Sequence, residues 1–278
     1  MTDYGHDLLF GTFITPTAQP AEQAVELAVV ADRAGLDLAT FQDHPYLSRF
    51  HDTWTLISYA ASRTDRIKLS GNVLSLPLRQ PAVLARAHAS LDRLTGGRIE
   101  LALGAGAFWD GIEAMGGRRL TPGQSVVALG EAIGVIREVW AGRGPGPAHD
   151  MSIWVGAYKP RMLRLVGRAA DGVLPSLSYL EGGPGDYAEI NKHIDGSAEA
   201  AGRDPRRVRR LLNINGTFSG LGRSFLNGPA EQWAEDLAGL TLEHGVSAFI
   251  LASDDPAAIE EFAADVAPAV RELVAAER

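Results

Sequence analysis

Residues 36–45, LDLATFQDHP, decide the fold. The stretch opens with an apolar alternation and ends in Asp43-His44-Pro45. That pattern predicts a short parallel strand whose last residues emerge into a loop. Residues 19–34, just before it, have helical spacing, with Ala24, Leu27, Ala31 and Ala34 on one face. Gly35 is a suitable stop for that helix. Earlier still, 8–14 (LLFGTFI) reads as a buried strand, so the first unit is β-α-β.

The same alternation runs down the chain. Further strands are expected over 66–76, 98–103, 152–156, 172–175, 208–218 and 246–252. Between them lie helices over 53–62, capped by Asp52, then 81–94, 122 to about 140, 160–170, 186–201 and 229–244. A last helix starts at Asp255-Pro256. Thr121-Pro122-Gly123-Gln124 has the form of a capping box. Eight strands alternating with helices imply a parallel sheet with crossover connections. At 278 residues the α/β class points to a single (β/α)8 barrel over 1–278, more than to an open doubly wound sheet. The only candidate linker, 143–150 (RGPGPAHD), is too short to argue for a domain boundary.

Hydrophobic residues make up 46% and charged residues 22%, which suits a sizeable core. The net charge of −8 argues against a nucleic-acid partner, since phosphate binding wants a basic surface. With no cysteine, thiolate nucleophiles and cysteine metal sites are excluded. The opening MTDYGHDLLF lacks a long apolar core, and no run approaches a bilayer-spanning length. A cytoplasmic protein with no membrane partner is expected.

In such a barrel the active site lies at the carboxyl ends of the strands. The Asp43-His44 exit offers a group that titrates near ~6.5 beside a carboxylate that orients it or raises its pKa. The alternative is a loop pair that only bonds the backbone. Gly71 inside the third strand marks either close approach to the backbone or a bulge. Gly104-Ala105-Gly106-Ala107 resembles the start of a dinucleotide fingerprint, but Trp109 stands where the third glycine belongs. It reads better as backbone left bare for a flat ring. Gly156, Ala157, Tyr158, Lys159, Pro160 and Arg161 lead from a strand into a helix. They form either a phosphate site or a Pro-started helix with solvated basic residues. No nucleophile elbow, Walker loop or zinc pair is present, and no metal is expected. His51, His88 and His149 carry no assigned role.

These segments together resemble the bacterial luciferase-like family of flavin- and deazaflavin-dependent oxidoreductases. The resemblance rests on Gln42-Asp43-His44-Pro45, Ser70-Gly71-Asn72-Val73-Leu74, Leu78-Arg79-Gln80-Pro81, Leu91-Asp92, Gly96-Gly97-Arg98 and Leu103-Gly104-Ala105-Gly106. Residues 154–162 (WVGAYKPRM) and Ala170-Asp171-Gly172 complete it. It implies a TIM barrel with a non-proline cis bond at Asn72-Val73 behind the central ring of a flavin-type cofactor. It also implies that the ring lies near Gly104, Ala105 and Gly106. The phosphate tail would fall at Gly156, Ala157, Tyr158, Lys159 and Arg161. His44 matches a histidine that acts as base in deazaflavin-using sugar-phosphate dehydrogenases of the family, here oriented by Asp43. Those enzymes place a glutamate directly after the glycine motif, where this chain has Ala107, with Asp110 and Glu113 as off-register carboxylates.

The resemblance implies hydride transfer between coenzyme F420, a 5-deazaflavin, and a small organic substrate. The alternative is a monooxygenase dependent on flavin mononucleotide (FMN) and fed by a separate flavin reductase. A third reading is a barrel that binds flavin without turnover. Family members are often dimers, so a homodimer is expected.

Overall fold

The computed structural model describes residues 3–142, 144–222 and 224–278. Arg143, first residue of the expected 143–150 loop, lies outside them. The strands are β1 (Leu9–Ile14), β2 (Leu38–Phe41), β3 (Lys68–Gly71), β4 (Leu74–Ser75), β5 (Leu101–Gly104) and β6 (Ile153–Val155). They continue with β7 (Gly172–Val173), β8 (Arg209–Ile214), β9 (Thr217–Phe218), β10 (Asn227–Gly228) and β11 (Val246–Ala252). The helices are α1 (Gln23–Ala34), α2 (Thr53–Arg63), α3 (Pro81–Leu94), α4 (Trp109–Ala114) and α5 (Pro122–Ala141). After them come α6 (Pro160–Ala169), α7 (Tyr187–Ala200), α8 (Ala230–His244), α9 (Pro256–Glu261) and α10 (Ala267–Glu277).

Nine strands form one parallel sheet in the order β3-β2-β1-β11-β8-β7-β6-β5-β4. Its two ends are halves of one expected strand: β3 pairs with β2, and β4 pairs with β5. A parallel bridge from Leu69 to Ile99 helps close the ring. All eight expected barrel strands are therefore present, and the architecture is a nearly closed parallel α/β barrel. Two boundaries differ. The third strand is broken between Gly71 and Leu74, where the Asn72-Val73 peptide is cis. The expected 208–218 strand ends at Ile214, and Thr217–Phe218 instead pairs with Asn227–Gly228 in a separate ribbon.

Local signals behave as the sequence suggests. Gly35 ends α1 at φ 95°, its N–H reaching Ala31 and Asp32 carbonyls. Asp52 caps α2 by accepting from Thr55 N at 2.9 Å. The capping box at Thr121 and Gln124 is formed. The last helix is not uniform, because a π-turn at Phe262–Val266 separates α9 from α10.

Two apolar layers hold the barrel. The larger lies between strands and helices. The smaller fills the interior with Leu38, Ala102, Trp154, Leu174, Leu211, Ala248 and Ile250, with Val73 packed on it. The N-terminal end is closed by paired charges. The fully buried Arg210 guanidinium donates to Asn191 Oδ1 at 3.0 Å, Pro205 O at 2.9 Å, Val208 O and Asp195. Tyr4 lies 3.8 Å from its Cζ. Nearby, His149 Nδ1 is 3.0 Å from buried Asp92 and its Nε2 is 3.4 Å from Glu100, which also pairs with Lys68.

Candidate active site at the barrel mouth

β2 delivers Asp43 and His44 to the C-terminal rim. Asp43 is buried, and among the described residues its carboxylate makes no hydrogen bond to the imidazole. Its carboxylate accepts from Ser75 N at 2.7 Å and from Arg79 Nε and Nη2 at 3.2 and 2.8 Å. Arg79 also lies 3.7 Å from Asp52, so it ties the β2 exit to the start of α2. The expectation that Asp43 orients His44 is thus corrected: the Asp43 oxygens are taken by Arg79 and the β4 backbone. What remains is its charge, which acts to raise the His44 pKa. Burial outweighs it, and together with Arg49 it pulls His44 below 6.5.

The ring is held instead by Tyr46, whose Oη lies 2.7 Å from His44 Nδ1. Phe108 stands edge-on to the imidazole at 5.4 Å between centroids, and Phe50 flanks it at 6.4 Å. Gly111 of α4 makes room for this arrangement, since a Cβ there would stand 2.6 Å from Tyr46 Cγ. Among the described residues His44 Nε2 has no hydrogen-bond partner, and it is not among the buried unpartnered atoms. The phenol of Tyr46 is itself held neutral, burial pushing its pKa up, with Asp43 acting in the same direction.

The floor of the mouth is polar. Asn72 and Asn213 exchange two hydrogen bonds, at 2.7 and 3.0 Å, across the barrel from the third strand to β8. Asn72 Nδ2 also donates to Thr40 Oγ1 at 3.1 Å, and Asn213 Nδ2 to Ser176 Oγ at 3.1 Å. Thr40 in turn donates to Thr12 O at 3.0 Å. Every amide hydrogen of the pair is thereby used, as buried amides require.

Val73 sits above the interior layer. A Cβ at Gly104 would stand 2.7 Å from Val73 Cγ2, and one at Gly156 would stand 2.9 Å from it. Both glycines are therefore bare to receive Val73, which corrects the reading of Gly104 as backbone left open for a ring. Gly106, at φ +101°, is hemmed in by Pro77 and Trp109. Ala105 is partly buried against the outer core and lines a pocket with Leu76, Pro77 and Arg79, and Ala157 is buried. Tyr158 is exposed and lies against Tyr179 at 5.6 Å, with Lys159 Nζ 4.9 Å above its ring. Lys159 starts α6 without a side-chain cap, and neither Lys159 nor Arg161 forms an ion pair among the described residues.

Other candidates turn elsewhere. Asp110 and Glu113 both pair with Arg119 at the surface, so neither supplies an acidic partner to His44. His51 bonds Ala21 O at 2.9 Å and Asp52 caps α2, away from any shared ligand. Sequence reading missed Tyr46, Asn213, Ser176 and Thr40. Arg79 was visible as part of a motif, but its partner was not.

A family model described as luciferase-like monooxygenase matches residues 8–216. The chain is 31% identical over 216 residues to a 5,10-methylenetetrahydromethanopterin reductase of Methanolobus tindarius, covering 72% of this chain and 63% of that one. It is 31% identical over 186 residues to a phthiodiolone/phenolphthiodiolone dimycocerosates ketoreductase of Mycobacterium sp. (strain JLS), covering 59% and 47%. The chain thus spans roughly half to two thirds of these curated relatives. An F420-dependent secondary alcohol dehydrogenase in complex with an F420-acetone adduct shares the fold at TM-score 0.82, 18% identity and coverage of 96% and 100%. The oxygenating component of 3,6-diketocamphane monooxygenase from Pseudomonas putida, in complex with FMN, shares it at TM-score 0.75, 19% identity and coverage of 95% and 98%.

Proposed function

The chain belongs to the luciferase-like monooxygenase family, and from that premise we propose that it moves a hydride between coenzyme F420 and a small uncharged organic substrate. The observation that carries this reading is His44: a half-buried imidazole at a strand exit, flanked by Phe108, Phe50 and Tyr46, whose Nε2 has no hydrogen-bond partner among the described residues. Hydride transfer to or from a carbon–oxygen bond needs one coupled proton, and a histidine with one free nitrogen can give or take it.

The residues present fit the cofactor. The exposed side chains of Lys159 and Arg161 and the uncapped start of α6 suit its phosphate tail. Val73, raised on Gly104 and Gly156, gives an apolar back wall for a ring. When bound, the deazaflavin supplies a two-electron hydride donor or acceptor. The chain's own part is to fix the reactants face to face, which is where much of the acceleration in such sites arises. Phe108, Phe50 and Tyr46 set an apolar wall beside His44, and the Asp43 charge is compensated by Arg79. This surrounding favours an uncharged substrate over a sugar phosphate.

The test is a titration of the protein with oxidised F420 and with FMN, followed by tryptophan quenching. Tight binding of F420 alone supports the reading. Preference for FMN would replace it with the monooxygenase served by a reductase, and binding without turnover over a broad alcohol and ketone panel would leave a flavin-binding barrel. A cytoplasmic homodimer belongs to the same proposal. Exposed Val83, Leu94 and Val127 on α3 and α5 support the dimer, which sizing by light scattering checks.

A further inference from the structure

We propose that Tyr46 is a positioning residue: it locks His44 in the tautomer that carries hydrogen on Nε2, so the imidazole meets substrate oxygen as a neutral hydrogen-bond donor. A neutral imidazole has one donor nitrogen and one acceptor nitrogen, and the partner of one decides the other. Here the partner is a phenol, 2.7 Å from Nδ1. A phenolic O–H, with a pKa near ~10, is a far more acidic donor than a neutral imidazole N–H. The stronger pairing therefore sends the Tyr46 proton toward Nδ1. Nε2 is left as N–H, and it is the nitrogen open to solvent.

The surroundings hold this pair and keep it uncharged. Gly111 leaves the space that the Tyr46 ring occupies, and Phe108 closes on the His44 ring edge-on. Among charged groups, Asp43 is tied to Arg79, and Asp110 and Glu113 are tied to Arg119. Arg49 adds positive charge, which disfavours a second proton on the ring. Burial acts in the same sense.

The proton then has a defined route. In the reducing direction, a hydride arriving at a carbonyl carbon would move the C=O π pair to oxygen, and a bound deazaflavin would be the source of that hydride. That oxygen takes the Nε2 proton. Tyr46 passes its proton to Nδ1 as Nε2 gives its own up; solvent then reprotonates Nε2 and the Nδ1 proton returns to the Tyr46 oxygen, which restores the resting tautomer. Alcohol oxidation follows the same path backward. This route rests on the hydride-transfer reading, whereas the tautomer does not.

The experiment is a two-bond 1H–15N correlation spectrum of the ligand-free protein, with His44→Ala to assign the resonance. In the native protein above its titration, Nε2 should be protonated and Nδ1 not. In Tyr46→Phe, which keeps the ring against Gly111, both tautomers should be populated. The His44 midpoint should move upward, because a bond to the neutral form is gone. A protonated Nδ1 in the native protein, or a Phe variant with unchanged nitrogens, would overturn the proposal. With substrate, Tyr46→Phe should lower kcat by about tenfold, the scale of one hydrogen bond, leave KM in place and shift the pH profile. If the spectra behave as expected but no deazaflavin-linked turnover exists, the hydride-transfer reading fails and the tautomer lock stands.

Discussion

At the N-terminal end of the barrel, Arg210 commits its guanidinium to Asn191, Pro205, Val208 and Asp195. At the mouth, His44 keeps Nε2 free, and Lys159 and Arg161 form no ion pair among the described residues. Both ends are rich in polar groups. The closed end pairs its guanidinium with protein groups, His6 Nε2 being the exception, and the mouth leaves His44 Nε2, Lys159 and Arg161 with spare capacity among the described residues. A buried polar group without a partner costs free energy, so most buried groups find one, with His6 Nε2, His88 Nε2 and Trp233 Nε1 as exceptions. Spare capacity at a strand's carboxyl end marks the place kept for a ligand.

The contrast can be broken most directly at the closed end. Arg210→Ala should cost about 3–5 kcal/mol, because it strips partners from Asn191 and Asp195 and leaves carbonyls unpaired in a buried site. Urea unfolding measures this. F420 affinity of the folded protein should stay put; a parallel loss of affinity would show that the two ends are not separate. At the open end the expectation reverses. His44→Ala should reduce turnover by about a hundredfold or more while costing only about 1–2 kcal/mol of stability, from the lost Tyr46 bond and ring packing. Full turnover in that variant would remove His44 from the chemistry.

The sequence carried the barrel well and the mouth only partly, for a physical reason. Strands and helices are written in local periodicity, so the eight strands and the caps at Asp52, Thr121 and Gly35 were legible. Side-chain partnership across the barrel is not local. Nothing near position 72 announces Asn213, 141 residues away, and nothing near Asp43 says that Arg79, 36 residues on, takes its carboxylate. Adjacent residues on an extended segment face apart, so the Asp43-His44 dipeptide was the least suited of all spacings to form the pair expected of it. Tyr46, two residues from His44, has the spacing that returns to the same side, and that was the signal available.

A smaller effect tests the tail site. Lys159→Ala and Arg161→Ala should each weaken F420 binding roughly fivefold, about 1 kcal/mol, the modest value of a charge-assisted contact at an exposed site. Added salt should weaken the native protein's binding and flatten the difference between native and variants. Unchanged affinity in both variants would leave the basic residues as a solvated helix start.

The smallest effect returns to the closed end and concerns pH. His149 is held above its usual 6.5, first by the hydrogen bond to Glu100, with the contact to Asp92 acting the same way against partial burial. The folded protein therefore binds this proton more tightly than the unfolded chain does. Stability from it is fully present below the unfolded pKa, near ~6.5, and is lost as pH rises through the higher folded value. Over that window unfolding free energy should fall with pH, and His149→Gln should remove the slope while sparing cofactor binding. The ring is partly exposed, so solvent screens the pair and the slope should be shallow. A slope that persists in His149→Gln would assign the titration to another group. A change in F420 affinity would again join the two ends that the polar groups keep apart.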